Sequence, residues 1–243
     1  MSSKQICKYM KKLYKLNLNS SYDGNISIKE KNRDYMLISP GGVAKYNLKK
    51  KMINKINIIN TKTNTNKANT KTNTNNKANT KNNSNIEILE KEKENYYYSD
   101  TKIYFKREHN IYLPSGEIKI HTNIINSLSS KFDSQDICII HCHPSNILAY
   151  TGLEKNNYRE LNSLQNLFPE LPNFINIAPN IEHITARTDK LANAIMNKFK
   201  GYNFITLQNH GVVCYSESFN KCIDMIMIID YYCKCALDYY NSR

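Results

Sequence analysis

The sequence predicts a layered α/β domain, and three observations carry that prediction. Short apolar runs of strand length end at glycine, proline or histidine, as in 35–42, 137–144 and 204–211. Between them lie stretches whose apolar residues recur at helical spacing, as in 4–16, 120–128, 191–199 and 222–233. The two kinds of segment alternate along the chain, which is the pattern of a sheet covered by helices.

Taken in order, residues 4–16 place Ile6, Tyr9, Met10, Leu13 and Leu16 on one helical face with lysines between them, so an amphipathic helix packs on the core. A glycine-containing turn at Gly24 leads into Asn25-Ile-Ser-Ile28, a strand with Asn25 and Ser27 on one face. Tyr35-Met-Leu-Ile-Ser-Pro-Gly41-Gly42 is a second strand, closed by a tight turn whose backbone can approach a ligand. Only seven glycines occur in the chain, and five of them (Gly24, Gly41, Gly42, Gly116, Gly211) fall in such segments, where they mark places that exclude a side chain. About residues 60–95 the sequence turns to Asn, Lys and Thr, followed by a mixed charged run. Such a tract has nothing to bury and is expected to be a disordered insertion in one domain spanning 1–243.

After Leu113-Pro-Ser115-Gly116-Glu117 a helix is expected with Ile120, Ile124, Ile125 and Leu128 inward and Ser115 as its N-cap. Such a helix start favours a phosphate. Glu117 then sits in the first turn, where a carboxylate complements the helix dipole. Downstream, 154–167 reads as a helix and Phe174-Ile-Asn-Ile-Ala-Pro179 as a short strand. Thr188 caps the next helix, and Ser218 opens the last one, with Cys222, Ile226, Ile229 and Cys233 as its stripe.

Chemistry concentrates at two strand ends. In Asp136-Ile-Cys-Ile-Ile-His141-Cys-His143-Pro144 an unbroken apolar run delivers two histidines one residue apart. Alternation turns both imidazoles to one face and Cys142 to the other. Phe204-Ile-Thr-Leu-Gln-Asn-His210-Gly211 delivers a third histidine in the same way. Three neutral imidazoles leave one position of a tetrahedral zinc open, as a catalytic site requires. His109, His121 and His183 lack this context and are read as surface or core histidines.

The net charge of +13 raises the question of nucleic acid. Its lysines are scattered, without aromatic interleaving or a recognition motif, so they read as solvated surface and nucleic acid is not expected as a partner. No stretch has the length of a membrane span or the apolar core of a leader, so a cytoplasmic protein is expected. The seven cysteines are an odd number without a C-x-x-C pair, as in a reducing compartment.

With these residues in hand, the chain resembles the class II aldolase/adducin family. The resemblance rests on Gly24-Asn-Ile-Ser27, Ile38-Ser-Pro-Gly-Gly42, Pro114-Ser-Gly-Glu117, His141-Cys-His-Pro144 and Asn209-His-Gly-Val212, in that order. The stretch His141–Thr151, followed by Glu160-Leu-Asn-Ser-Leu and Phe168-Pro-Glu170, looks most like the rhamnulose-1-phosphate aldolase branch. The resemblance implies a three-layer α/β/α sandwich around a mostly antiparallel sheet, and a homotetramer with sites at subunit boundaries. It further implies zinc, or a similar divalent metal, on His141, His143 and His210. Glu117 matches the family's catalytic carboxylate and Glu170 a second one. Asn25, Gly42, Ser115 and Gly116 fall where relatives hold a substrate phosphate, although relatives often carry Ser or Thr where Gly41 and Gly116 stand. The implied reaction is cleavage of a ketose 1-phosphate into dihydroxyacetone phosphate and an aldehyde. Alternatives are a methylthioribulose-1-phosphate dehydratase, a pentulose-phosphate 4-epimerase, or a non-catalytic adducin-like scaffold.

Overall fold

A computed structural model describes residues 2–58, 97–98, 101–102, 112–128, 134–152, 160–199 and 201–242. The expected insertion at 60–95, His109 and the first part of the 154–167 helix lie outside the described residues.

Helix α1 spans Ser2–Lys15 and buries Ile6, Tyr9, Met10 and Leu13. Leu16, which the periodicity assigns to the same face, is exposed instead. The cause is the helix stop. Asn17 adopts a left-handed φ of 56°, its N–H donates to Tyr14 O (3.1 Å) and the Leu18 N–H to Leu13 O (3.0 Å). That is the Schellman arrangement, and it places Leu16 at the C-cap while Leu18 turns back into the core.

Strands β1 (Asn25–Lys29), β2 (Tyr35–Ile38) and β3 (Asn54–Asn57) follow, and the two-residue strands β4 (Tyr97–Tyr98) and β5 (Thr101–Lys102) form a separate antiparallel pair. Helix α2 (Ile118–Leu128), strand β6 (Ile137–Cys142), helices α3 (Ser145–Gly152), α4 (Leu164–Leu167) and α5 (Asp189–Lys198), strands β7 (Phe204–Leu207) and β8 (Gly211–Ser216) and helix α6 (Phe219–Asn241) complete the described chain. The main sheet has the order β3-β2-β1-β6-β8-β7, with antiparallel pairing throughout. Strand β6 is central and buried along its whole length. That position explains its unbroken Ile137–Ile140 run, since both of its faces meet helices.

Alternation sorts the core into two layers. Ile26, Ile28, Cys138, Ile140, Cys142, Val212 and Cys214 pack under α1, α3, α4 and α6. Met36, Ile38, Ile56, Ile137, Ile139, Ile205 and Val213 pack under α2 and α5. The fold is therefore a three-layer α/β/α sandwich around an antiparallel sheet, as the resemblance implies.

Several local expectations shift. Ser115 precedes α2 by a turn: its hydroxyl accepts from Glu117 N–H (3.3 Å) and its carbonyl from Ile118 N–H (3.1 Å). Glu117 thus stands just before the helix rather than inside its first turn. Of the expected helix over 154–167, the described part is a 3-10 turn (Leu161–Ser163) followed by the single turn of α4. The 174–179 segment makes isolated parallel bridges, Ile177 with Phe204 and, beyond it, Ile181 with Leu207, rather than a strand. Pro179 lies between them and has no N–H to continue a ladder. Thr188 and Ser218 cap α5 and α6 as expected, accepting from Leu191 N–H (3.2 Å) and Lys221 N–H (3.3 Å).

Candidate metal centre

His141 lies in the last two residues of β6, opposite Asn25 on one side and Val213 on the other. His143 follows the strand, and its N–H is fixed by Leu18 O (3.0 Å) and Asn19 Oδ1 (3.1 Å). His210 occupies the hairpin between β7 and β8. There Asn209 takes a φ of 53° and Gly211 one of 151°. A Cβ at Gly211 would collide with the Cys142 carbonyl and lie 2.7 Å from His143 Cδ2. Glycine therefore lets the hairpin close on β6, and this closure brings His210 to the other two histidines.

The ligating atoms of His141, His143 and His210 all lie within 4.8 Å of one another. His141 Nε2 and His143 Nε2 are 2.9 Å apart. His141 Nδ1 is 2.9 Å from Val212 O, and a carbonyl only accepts, so Nδ1 carries the proton and Nε2 of the neutral ring presents a lone pair. His143 Nδ1 faces Asp23 Oδ2 at 3.5 Å, which selects the same tautomer. Two lone pairs facing each other at this distance repel unless a proton or a cation lies between them. Glu117 approaches the same point, with Oε2 3.1 Å from His141 Nε2 and Oε1 3.2 Å from His210 Nε2. Yet Oε1 is buried with no aligned hydrogen-bond donor among the described residues. Three convergent imidazole nitrogens and an orphaned carboxylate oxygen fit a divalent metal such as zinc.

The electrostatics favour positive charge beside Glu117. Burial alone would raise the Glu117 carboxyl, but the His141 and His210 imidazoles outweigh it and hold the pKa far below the usual carboxylate range. For His141 burial opposes the charge, and Glu117 reverses the balance to raise its pKa. Burial pulls His143 down. Asp23 is penalised by burial, but hydrogen bonds from His143 and Ser20 bring it to about 2.

Behind Glu117 lies a buried chain of hydrogen bonds. His121, read from the sequence as an ordinary histidine, is fully buried. Its Nε2 bonds Asn25 Oδ1 and its Nδ1 lies 2.7 Å from Ser27 Oγ. Asn25 Nδ2 then donates to Glu117 Oε2 (2.9 Å). Burial brings the His121 pKa down to about 3, so the ring is neutral and donates through Nε2. Asn25, grouped with the phosphate residues in the sequence, thus orients the carboxylate, and one of its amide hydrogens stays uncommitted.

The other sequence-assigned residues divide. The Gly41-Gly42 and Ser115-Gly116 turns are stitched together by Gly41 N–H to Leu113 O (3.1 Å) and Ser115 N–H to Ser39 O (3.3 Å). Gly42 has a φ of 65°, and a side chain there would enter open space. Glu170 is exposed and accepts from Tyr232 of α6 (2.8 Å). It forms no hydrogen bond or ion pair with Glu117 or the three histidines among the described residues. His183 is exposed.

Asp23, Lys45 and Arg187 went unnoticed in the sequence. Lys45 is buried to 1 % exposure, its Nζ donates to Pro40 O (3.3 Å), and burial lowers its pKa to about 8 against the attraction of Asp23 and Glu117. Its only sequence signal is a lysine soon after the Gly41-Gly42 turn, which in a lysine-rich chain is no signal at all. Among the described residues, no helix is long and apolar enough to cross a membrane.

The family model described as "Class II Aldolase and Adducin N-terminal domain" matches residues 4–237. At the level of sequence alone, no curated protein matches the chain. Among solved structures, a sugar-phosphate aldolase from Thermotoga maritima is similar with a TM-score of 0.67 and 17% identity, over 98% of this chain and 94% of that one. An L-fuculose 1-phosphate aldolase has a TM-score of 0.63 and 18% identity, over 98% and 86%. The L-fuculose-1-phosphate aldolase from Thermus thermophilus has a TM-score of 0.60 and 14% identity, over 97% and 92%. At such identities the structural likeness speaks for the fold.

Proposed function

Since the chain belongs to the class II aldolase and adducin family, we propose that it is a metal-dependent aldolase, a carbon–carbon lyase that cleaves a ketose 1-phosphate to dihydroxyacetone phosphate and an aldehyde. The observation that carries this reading is the convergence of His141, His143, His210 and Glu117 on one point. The solved structures named as sugar-phosphate and L-fuculose 1-phosphate aldolases support the substrate class.

His141, His143 and His210 would hold a zinc or similar divalent ion, which supplies Lewis acidity toward the substrate oxygens. Glu117, ionised at neutral pH, moves the proton at the carbon that acts as nucleophile in the condensation direction: it removes that proton there and returns it in cleavage. Asn25 keeps the carboxylate turned toward the substrate by holding Oε2. The paired turns at Gly42 and Ser115-Gly116 form the phosphate cradle. Glu170 lies on an exposed surface, so its part as a second acid–base group requires the neighbouring subunit of a homotetramer.

The test is metal analysis of the purified protein, followed by an aldol-cleavage screen of ketose 1-phosphates. About one metal per chain and release of dihydroxyacetone phosphate support the reading. Turnover confined to methylthioribulose 1-phosphate or a pentulose phosphate would replace the aldolase with a dehydratase or an epimerase, and absence of metal and of turnover would leave a scaffold.

A further inference from the structure

Gly116 lacks a side chain beside the phosphate cradle, and the space is filled from elsewhere in the chain. A Cβ built on Gly116 would lie 2.8 Å from Arg187 Cδ and 2.9 Å from its Nε, so the stem of Arg187 occupies the notch that glycine leaves. The backbone reaches this position under strain. Arg187 adopts a φ of 64°, a conformation that costs any residue with a Cβ and that clusters at functional positions. It is held there by its neighbour: Thr188 Oγ1 donates to Thr185 O (2.8 Å) while capping α5 through Leu191 N–H (3.2 Å). Arg187 is exposed, and its guanidinium has no hydrogen bond or ion pair among the described residues. An unpaired guanidinium is seated against the turn that leads into Glu117. Ser115 Oγ accepts from Glu117 N–H, so its own hydroxyl hydrogen is free for a ligand, and the space in front of Gly42 is open.

We propose that Arg187 is the anion-recognising side chain of this pocket: its guanidinium, lying over Gly116, binds the phosphate dianion of the substrate together with the Ser115 hydroxyl. This rests on the reading of the site as one for a phosphorylated sugar. A planar guanidinium offers parallel N–H donors that match two phosphate oxygens. One charged fork replaces the hydroxyl that a serine at position 116 would supply, and it favours a dianion over a neutral sugar. Arg187 is thus a specificity-determining residue, set for phosphate esters over free ketoses.

The experiment is calorimetric titration of inorganic phosphate into the metal-loaded protein, for wild type, Arg187→Gln and Arg187→Gly. Both variants are expected to bind phosphate at least about tenfold more weakly with metal content unchanged. Arg187→Gly, which relieves the left-handed strain, is expected to keep or raise Tm, and this separates lost binding from lost folding. On a cleavable ketose 1-phosphate, KM should rise by the same factor while kcat stays within about twofold. Phosphate affinity equal to wild type in both variants, or no phosphate binding by wild type, overturns the proposal. If phosphate binding depends on Arg187 but no ketose 1-phosphate is cleaved, the anion site stands and the aldolase reading falls. Cleavage with an unchanged KM in Arg187→Gln leaves the aldolase reading standing and removes Arg187 from the anion site.

Discussion

Lys45 is a buried cation whose cost can be measured. It is 1 % exposed and donates to a single carbonyl, Pro40 O at 3.3 Å. Burial lowers its pKa from 10.5 to about 8 in spite of Asp23 and Glu117. A drop of about 2.5, at about 1.4 kcal/mol each, puts the cost of keeping this ammonium charged at roughly 3 to 4 kcal/mol. Lys45→Met keeps the length and apolar stem and removes the charge. The lost hydrogen bond returns about 1 kcal/mol of that gain. The variant should therefore be more stable than wild type by roughly 2 to 3 kcal/mol at pH 7. The pH dependence is the sharper test. Because the folded-state pKa lies below the unfolded one, the folded state binds fewer protons between pH 8 and 10.5, and wild-type stability rises with pH across that window. The penalty is fully present below pH 8 and gone above 10.5. Urea unfolding of both proteins at about pH 7, 9 and 10.5, at one protein concentration, gives the difference directly, and groups common to both cancel. A difference that stays constant over this range, or a less stable variant at pH 7, refutes the reasoning.

Other groups give further tests. Glu117→Gln should keep fold and bound metal but cut turnover by roughly two to four orders of magnitude; normal turnover with intact metal would move suspicion to Glu170. His141→Ala and His210→Ala should each lose most of the bound metal by elemental analysis, and retention at wild-type level would show the ligands to be misassigned. His121 has a folded pKa of about 3, well below its unfolded value, so the stability it contributes is complete above pH 6.5 and falls toward pH 3 by up to about 1.4 kcal/mol per pH unit. In His121→Gln that slope should be smaller by about that amount, read from urea midpoints at about pH 6.5, 5.5 and 4.5.

Much of the centre was legible because it depends on local periodicity. A six-residue strand buried on both faces must read as an apolar run, and two histidines one residue apart at its end must share a face. Glycine after His210 was legible as an excluded side chain, although its cause, the close approach of the Cys142 carbonyl, lies far away in sequence. Leu16 was misplaced because periodicity does not see a helix stop made by Asn17. Asp23, Lys45 and Arg187 were invisible because each gains its role from a partner distant in the chain or from burial: His143, burial beside Pro40 and Gly116. A lysine or arginine in a chain of net charge +13 gives no local sign of being special.

Asn25 and His121 show how the orientation of a side chain is decided by partners far away in the chain. The register that sets Asn25 opposite His141 puts it beside the three-histidine cluster. Its orientation is decided from behind. With His121 neutral, Nε2–H must meet Asn25 Oδ1, since Ser27 O–H can satisfy Nδ1. That turns Nδ2 toward Glu117 Oε2. The flipped amide would set oxygen against a carboxylate and nitrogen against an N–H donor, two repulsions in a site too dry to screen them. The amide is therefore locked, and through it one carboxylate oxygen of Glu117. The other oxygen has no aligned donor among the described residues, so the carboxylate is anchored at one end and left able to interact at the other.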